Sequence, residues 1–170
     1  MTKPTPRQQT PALQVDTFDG RWNLHEIQPD NFSLIVVYRG LHCPVCKSSL
    51  RDLDRKHDEF SKRGVEVIAI SGDTKERAQR SVDEWGIKQV TVGYGLTEST
   101  ARSWGLYVSE GINEKEPARF FEPALFLVRQ DGTLYAASIQ SMPFARPAFD
   151  SLLGAIDFVL DKDYPARGEA

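Results

Sequence analysis

Two short apolar runs, Ser33–Tyr38 and Val65–Ile70, constrain the fold of this chain more than any other feature. The first run is rich in β-branched residues. It is long enough for a strand that is buried on both faces and too short for a helix, and the second run predicts a buried strand in the same way. A helical pattern follows each run, reaching about Arg63 after the first and Trp85 after the second. Buried strands that alternate with helices predict an α/β domain with helices on both faces of its sheet.

Turn signals divide the rest of the chain into further elements. Asp19-Gly20 predicts an N-terminal β-hairpin between residues 13–15 and 22–27, and Asp131-Gly132 predicts a second hairpin between 124–128 and 133–139. The remaining predictions are a short strand at 89–92, a short helix at 97–104, a loop at 109–119 and a terminal helix at 148–160. The central sheet is therefore expected to be mixed, since an antiparallel hairpin follows the alternating strands and helices.

The length of 170 residues is ordinary for one domain, which at this size buries about 68–70% of the surface of its unfolded chain. Residues 1–11 carry three prolines and no apolar periodicity, so we expect a mobile N-terminal arm. Residues 12–160 are expected to form the domain, and residues 161–170 a polar C-terminal tail.

Charge and hydropathy exclude several classes of partner. With 21 Lys+Arg against 24 Asp+Glu, the net charge is −3. A nucleic acid or an anionic membrane would need a basic patch on the protein, so neither is expected as a partner. The longest aliphatic run, Leu34–Val37, is far shorter than the roughly 18–20 residues that span a bilayer. The first residues lack the apolar stretch of a secretory signal, so a cytoplasmic location is expected.

The two cysteines of the chain, Cys43 and Cys46, follow the first apolar run directly. Cys43 is placed at the turn from strand to helix, where free N–H groups and the helix dipole favour a thiolate, and Arg39 and His42 are expected to add to the effect. Cys46 begins the apolar stripe of the helix and is expected to stay protonated longer. One exposed nucleophilic sulfur and one shielded sulfur predict a dithiol that opens and closes a disulfide.

Two other interpretations of the cysteines are open. Cysteine also packs in cores as a small hydrophobic residue. A tetrahedral metal site needs four ligands, and the chain offers two cysteines and three histidines with no second cysteine pair, so neither a metal nor another cofactor is expected.

The stretch Val37-Tyr38-Arg39-Gly40-Leu41-His42-Cys43-Pro44-Val45-Cys46 resembles the thioredoxin-like superfamily, and more closely its peroxiredoxin-like redoxins of the alkyl hydroperoxide reductase/thiol-specific antioxidant type. Pro123 before a strand and a turn is similar to the superfamily segment whose cis proline faces the cysteines, and Pro143–Pro147 is similar to the same branch. The resemblance covers about residues 12–160. It implies a thioredoxin-like fold, catalytic Cys43 and Cys46, and a supporting role for Pro123.

The chain departs from the family pattern at defined positions. Peroxiredoxins carry a proline seven residues and a hydroxyl residue three residues before the reactive cysteine, and counting back from Cys46 these positions hold Arg39 and Cys43. The family arginine before the late strand would fall near Pro123 and is missing, and the buried acid of thioredoxins is replaced by Val37. That register makes Cys46 the reactive residue, whereas helix electrostatics favours Cys43, which we expect to ionise first.

The resemblance implies a thiol–disulfide oxidoreductase or a peroxiredoxin-like thiol peroxidase that cycles Cys43 and Cys46 between dithiol and disulfide. A peroxide or disulfide is the expected substrate, a thioredoxin- or glutathione-type protein or thiol the reductant, and a homodimer the expected assembly. One alternative is a redox-sensing or interaction module without turnover. A copper-binding redoxin is less favoured, because the cysteines are too close and no histidine follows His57.

Two neighbouring charged residues carry smaller expectations. Arg146 is assigned a structural or dimer-contact role, and Glu122 is expected to point to solvent, since an inward carboxylate would raise a thiol pKa.

Overall fold

A seven-stranded mixed sheet forms the centre of the molecule, in a computed structural model that describes residues 3–170. Its strand order is β2-β1-β5-β4-β3-β8-β9, and a separate two-stranded sheet joins β6 to β7. Strands β3, β4 and β5 are parallel, while the remaining pairs are antiparallel. The strands are β1 (Gln14–Thr17), β2 (Gly20–Asn23), β3 (Phe32–Val37), β4 (Val65–Ile70), β5 (Thr91–Tyr94), β6 (Val108–Glu110), β7 (Arg119–Phe121), β8 (Ala124–Arg129) and β9 (Leu134–Ile139).

Five α-helices cover the two faces of the sheet: α1 (Pro44–Arg55), α2 (His57–Lys62), α3 (Lys75–Trp85), α4 (Glu98–Ser103) and α5 (Phe149–Lys162). Side chains of α1, α2, α3 and α5 form one apolar core with one face of the sheet, and α4 packs with the N-terminal strands on the other. Strand β3 contributes Leu34 and Val36 to the first core and Ile35 and Val37 to the second. Alternate residues of a strand point to opposite faces, so the apolar run is buried on both sides as predicted.

The sequence predicts Asp73 or Thr74 as the N-cap of α3 and Gly86 as its end, and the structure has Thr74 and Gly86 at these places. Thr74 is the N-cap and its side chain accepts the Arg77 N–H, while Gly86 ends the helix with a φ of 67°. That conformation costs glycine little because it has no Cβ. None of the helices within residues 3–170 is long and apolar enough to cross a membrane, the longest being α5 with 14 residues.

Three elements differ from the sequence prediction. The helix expected to reach Arg63 is interrupted at Lys56, although its apolar stripe continues through Leu53 and Phe60 into α2. Strand β5 begins at Thr91, two residues after the expected start. The predicted loop at 109–119 contributes to strands β6 and β7, which pair Val108 with Phe121. These strands are only three residues each, too short for alternation to be read from the sequence.

The N-terminal arm forms hydrogen bonds with the domain in the part that the structure describes, while Met1 and Thr2 lie outside it. The Arg7 N–H donates to the Leu134 carbonyl at 2.8 Å, and the Leu134 N–H returns a bond to Gln8. The segment therefore covers the edge strand β9, whose N–H and C=O groups would otherwise lack partners. Helix α5 continues two residues past the predicted boundary, and the following tail buries Ala166.

A carboxylate on α1 fixes the entry to β5. Asp54 accepts hydrogen bonds from the backbone N–H groups of Lys88, Gln89 and Val90 at 2.8–3.2 Å. We expect Asp54→Ala to lower the free energy of unfolding by about 1–3 kcal/mol, since three N–H groups lose a charged acceptor. Chemical denaturation measures the change. The control is Asp52→Ala, whose surface pair with Lys56 predicts a loss of about 0–1 kcal/mol; equal losses would contradict the assignment.

Candidate active site

Cys43 is the N-cap residue of α1. Its backbone is extended, with φ −106° and ψ 107°, and its sulfur accepts the Cys46 N–H at 3.2 Å. Pro44 occupies the first turn, where its missing N–H costs no helical hydrogen bond. The Cys43 sulfur therefore occupies the position that a Ser or Asp side chain takes in an ordinary helix cap, where a negative charge is stabilised.

The loop before Cys43 is fixed by a buried carboxylate. Asp73, directly beyond β4, accepts the Leu41 N–H at 2.8 Å and the Arg77 Nε–H at 3.1 Å. The sequence predicts either Asp73 or Thr74 as the N-cap of α3, and Thr74 takes that role. The carboxyl ends of β3 and β4 meet at one sheet edge because the strands are parallel neighbours. The predicted parallel pairing could therefore have placed Asp73 beside the loop before Cys43.

Gly40 is required by this loop. Its φ is +138°, and a Cβ at this position would lie 2.7 Å from Asp73 Oδ1. We expect Gly40→Ala to lower the free energy of unfolding by about 1–3 kcal/mol, since both the conformation and the contact are unfavourable. Gly154, in α5 with open space around it, is the control, and Gly154→Ala should stabilise by about 0.5–1 kcal/mol. Thermal or denaturant unfolding of both variants tests the contrast, and a neutral Gly40→Ala would contradict it.

A guanidinium group connects the two thiols. Arg146 Nη2 lies 3.1 Å from Cys46 Sγ and 3.7 Å from Cys43 Sγ. The Arg39 backbone N–H also donates to Cys46 Sγ, at 3.3 Å. The structural or dimer-contact role predicted for Arg146 did not include this contact with the thiols, which arises because the segment before α5 folds back over the cysteines. No periodicity within residues 140–148 indicates this contact.

Both cysteines are reduced and buried. Cys46 is 0% exposed, as its place in the apolar stripe predicts, and Cys43 is 2% exposed. The expectation of one exposed sulfur is therefore wrong for Cys43. Helix-cap position alone predicts exposure, whereas here the Arg146 segment lies over the cap.

The two thiols differ in their pKa values. The pKa of Cys43 is lowered to about 5 by a hydrogen bond from the Cys46 thiol, by the Cys46 N–H and by Arg146 and Arg39, against the opposing effect of burial. Burial raises the pKa of Cys46, and the neighbouring Cys43 raises it further. Cys43 is thus the thiol that ionises first, and Cys46 supplies a proton donor beside it.

Arg39 and Glu122 form a buried ion pair next to the cysteines. Arg39 Nε lies 3.0 Å from one Glu122 oxygen and Nη2 lies 3.3 Å from the other. Ser109 Oγ–H donates to Glu122 at 2.7 Å, and the Arg39 guanidinium stacks over the Phe120 ring at 4.7 Å. Glu122 is 5% exposed, so the expectation that it faces solvent is wrong. The inward carboxylate is tolerated because Arg39 compensates its charge.

His42 packs against the site. Its ring meets Phe120 edge-on at 4.6 Å, and neither ring nitrogen has a hydrogen-bond partner within residues 3–170. Burial lowers the pKa of His42, and the nearby Arg39 lowers it further. The lowered pKa disfavours the cationic form of His42, so its expected support for Cys43 stays a prediction.

Pro123 lines a cavity together with Arg146 and Val37, so it lies near the site as predicted. Its peptide bond is trans, as are all the bonds within residues 3–170, and the expected cis bond is wrong. The chain runs from β7 to β8 with only two residues between the strands, and the Glu122 N–H donates to the Tyr107 carbonyl. Trans is the usual form of an X–Pro bond, and this extended connection does not require the rarer isomer.

Within the described part of the chain, no group of three or more His, Cys, Asp or Glu side chains is arranged to hold a metal ion. The site therefore consists of two thiols, two arginines and one carboxylate. This arrangement can stabilise a thiolate, orient a polar substrate atom and close a disulfide.

Comparison with known proteins agrees with the fold. The family profile named AhpC/TSA matches residues 6–137, which include both cysteines, Arg39 and Glu122. The chain belongs to the AhpC/TSA family. Arg146 lies beyond the matched AhpC/TSA segment, so its contact with the thiols is seen only in the structure.

Individual relatives support the AhpC/TSA assignment over different shares of the chain. A 1-Cys peroxiredoxin of Medicago truncatula is 35% identical over 75 residues, which are 44% of this chain and 33% of that protein. The chain thus matches about a third of the length of such relatives. A cysteine-to-serine variant of peroxiredoxin 6 of Arenicola marina has a TM-score of 0.76 at 20% identity, covering 94% of this chain and 74% of that one.

A peroxiredoxin-like protein of Aquifex aeolicus has a TM-score of 0.75 at 18% identity, covering 94% of this chain and 90% of that one. At such identities the likeness concerns the fold alone. The predicted thioredoxin-like fold with a mixed central sheet is thereby confirmed.

Proposed function

We propose that this AhpC/TSA protein is a thiol-dependent peroxidase, in which Cys43 and Cys46 alternate between a dithiol and an intramolecular disulfide. The observation that carries the proposal is the shared guanidinium of Arg146, 3.7 Å from one sulfur and 3.1 Å from the other. A cation that contacts both sulfurs stabilises the thiolate of either one. It therefore assists both the attack of one cysteine on the peroxide and the closure of the disulfide by the other.

The first step oxidises Cys43. Its thiolate attacks a hydroperoxide oxygen, an S–O bond forms as the O–O bond breaks, and the departing oxygen takes a proton from solvent to give an alcohol or water. Cys43 is then a sulfenic acid. The low pKa of Cys43 supplies the thiolate at neutral pH.

The second step closes the disulfide. The Cys46 sulfur attacks the Cys43 sulfenic acid, an S–S bond forms, and the hydroxyl leaves as water with the Cys46 proton. Arg146 and the Arg39 N–H both donate to Cys46 Sγ, which stabilises negative charge as that proton departs. These two donors take the place of the buried acid that thioredoxins have at the position of Val37.

Burial favours a small oxidant over a protein disulfide. Attack on a disulfide bond requires direct contact of the sulfur with the partner chain, and both sulfurs are almost fully buried. A hydroperoxide needs much less space, because only its two oxygen atoms have to reach the sulfur. Two thiols of the reductant, both in one thioredoxin-type protein or one in each of two glutathione molecules, would then reduce the disulfide and become oxidised as the two cysteines regain their protons. This exchange also requires contact with a sulfur, so burial favours the smaller, glutathione-type donor.

Steady-state turnover tests the proposal. The chain is mixed with hydrogen peroxide or an alkyl hydroperoxide and, in separate reactions, with thioredoxin plus its reductase or with glutathione plus its reductase. We expect NADPH consumption that depends on both peroxide and chain. A disulfide that forms once and is not turned over by either donor would instead support a redox sensor without catalysis.

A further inference from the structure

We infer that Glu122 is a positioning residue for the proposed reaction, which fixes the Arg39 guanidinium beside the cysteine pair, where the Arg39 backbone N–H lies 3.3 Å from Cys46 Sγ. The inference rests on the proposed role of Cys43 and extends it to a residue that touches neither sulfur. Glu122 acts through Arg39, which occupies the position where the family pattern has a proline.

The Arg39 guanidinium is held by the two carboxylate oxygens of Glu122 and by the ring of Phe120. Two guanidinium nitrogens of Arg39 face the two Glu122 oxygens at 3.0 and 3.3 Å, and the ring of Phe120 covers the guanidinium at 4.7 Å. The Arg39 side chain is 19% exposed and that of Glu122 is 6% exposed, so the pair is shielded from water. In such surroundings each charge depends on the other for compensation.

Glu122 is itself held by the small β6–β7 sheet. Ser109, on β6, donates its hydroxyl to Glu122 at 2.7 Å, and the Glu122 N–H is bound to the Tyr107 carbonyl. The carboxylate thus has a fixed place between β7 and β8, at the level of the cysteines. This gives the otherwise separate sheet a function in organising the site.

The charged and titratable groups that face Cys43 come from four parts of the chain. They are Arg39 after β3, His42 in the loop, Cys46 on α1 and Arg146 before α5. Burial and Arg39 lower the pKa of His42 and disfavour its cationic form, which leaves Arg39 and Arg146 as the cations that stabilise the thiolate. Without Glu122, a buried Arg39 would lack a counter-charge and turn to water, leaving Arg146 alone.

The pH profile of Cys43 alkylation tests the inference. The reduced chain, with both cysteines present, is treated with iodoacetamide at a series of pH values, and peptide mass spectrometry reports the modification of Cys43. The unaltered chain should give a midpoint near pH 5. We expect Glu122→Gln to raise the midpoint by about one pH unit, because Arg39 is no longer held near Cys43. The loss of a positive charge close to a thiolate raises the pKa of the thiol, and such a charge shifts a pKa by about 1–3 units.

Two further variants show whether Glu122 acts through Arg39. Arg39→Met should raise the midpoint by about as much, and the double variant should shift no further than Arg39→Met alone. The control is Glu110→Gln, an exposed β6 carboxylate paired with Arg119, which should leave the profile unchanged. An unchanged or lowered midpoint in Glu122→Gln, or additive shifts in the double variant, would overturn the inference.

Folding is checked by circular dichroism. If Glu122→Gln does not fold, Ser109→Ala keeps the charge and removes only the 2.7 Å hydrogen bond, and it should raise the midpoint by a smaller amount. No rise in that variant would then overturn the inference. Because alkylation needs no peroxide or reductant, a chain that shows these shifts without turnover would refute the proposed peroxidase and leave the role of Glu122 intact.

Discussion

Cys43→Ser should abolish peroxide turnover, with a loss of at least about 10³-fold, because a serine hydroxyl does not ionise near neutral pH and the nucleophile is lost. The same variant should lose fast alkylation by iodoacetamide. Cys46→Ser should also lose turnover, but it should retain the first oxidation and accumulate a sulfenic acid at Cys43 or a mixed disulfide with added thiol. Stopped-flow peroxide consumption and intact mass measure these outcomes.

The pair of cysteine variants also decides between the two sulfurs. Family register places Cys46 at the reactive position, whereas the Cys46 N–H bond and the two arginines favour ionisation of Cys43. A Cys43→Ser variant that keeps fast alkylation and forms a sulfenic acid would show that Cys46 attacks the peroxide. In that case Arg146, which is nearer to Cys46, would activate the first step instead of the second.

Arg146→Met should lower the rate of peroxide reduction by about 10²–10³-fold, the range found when a donor that stabilises reacting charge is removed. Both steps should slow, because the guanidinium reaches both sulfurs. The midpoint of Cys43 alkylation should move to higher pH at the same time. Transient kinetics with one equivalent of peroxide separates the rates of sulfenic acid formation and disulfide closure.

The matched control for this prediction is Arg80→Met. Arg80 lies on the exposed side of α3 and pairs only with Glu84 in the described structure, so its loss should leave both rates unchanged. An Arg146→Met variant within about threefold of the unaltered chain would contradict the catalytic role of Arg146, since even one lost charged hydrogen bond is worth about 1.5–3 kcal/mol.

The fold could be predicted from the sequence wherever a pattern was long or strongly marked. The β3 and β4 runs, the Thr74 cap and the hairpin turn before Gly20 each carry a local signal, and the structure has them where expected. Strands β6 and β7 were missed because three residues give no periodicity. The contacts of the N-terminal arm were not predicted, because its hydrogen bonds reach β9, about 125 residues away along the chain.

The site shows the same division between local and distant contacts. The cysteine pair and its strand-to-helix setting are local, so the sequence indicated them directly. Arg146 lies 100 residues from Cys46, and Glu122 lies 83 residues from Arg39. Neither contact can be inferred from spacing or composition, so Arg146 was assigned a structural or dimer-contact role and the buried Glu122 was expected to face solvent.

The central claim, a reversible Cys43–Cys46 disulfide, is tested most directly by oxidation with a single equivalent of hydrogen peroxide. Thiol titration should show the loss of both thiols in each chain. Peptide mass spectrometry should find Cys43 linked to Cys46 within one chain, with the loss of two hydrogens, and thioredoxin or glutathione should restore both thiols. Links between chains, or cysteines oxidised to sulfinic acid without a bridge, would contradict the claim.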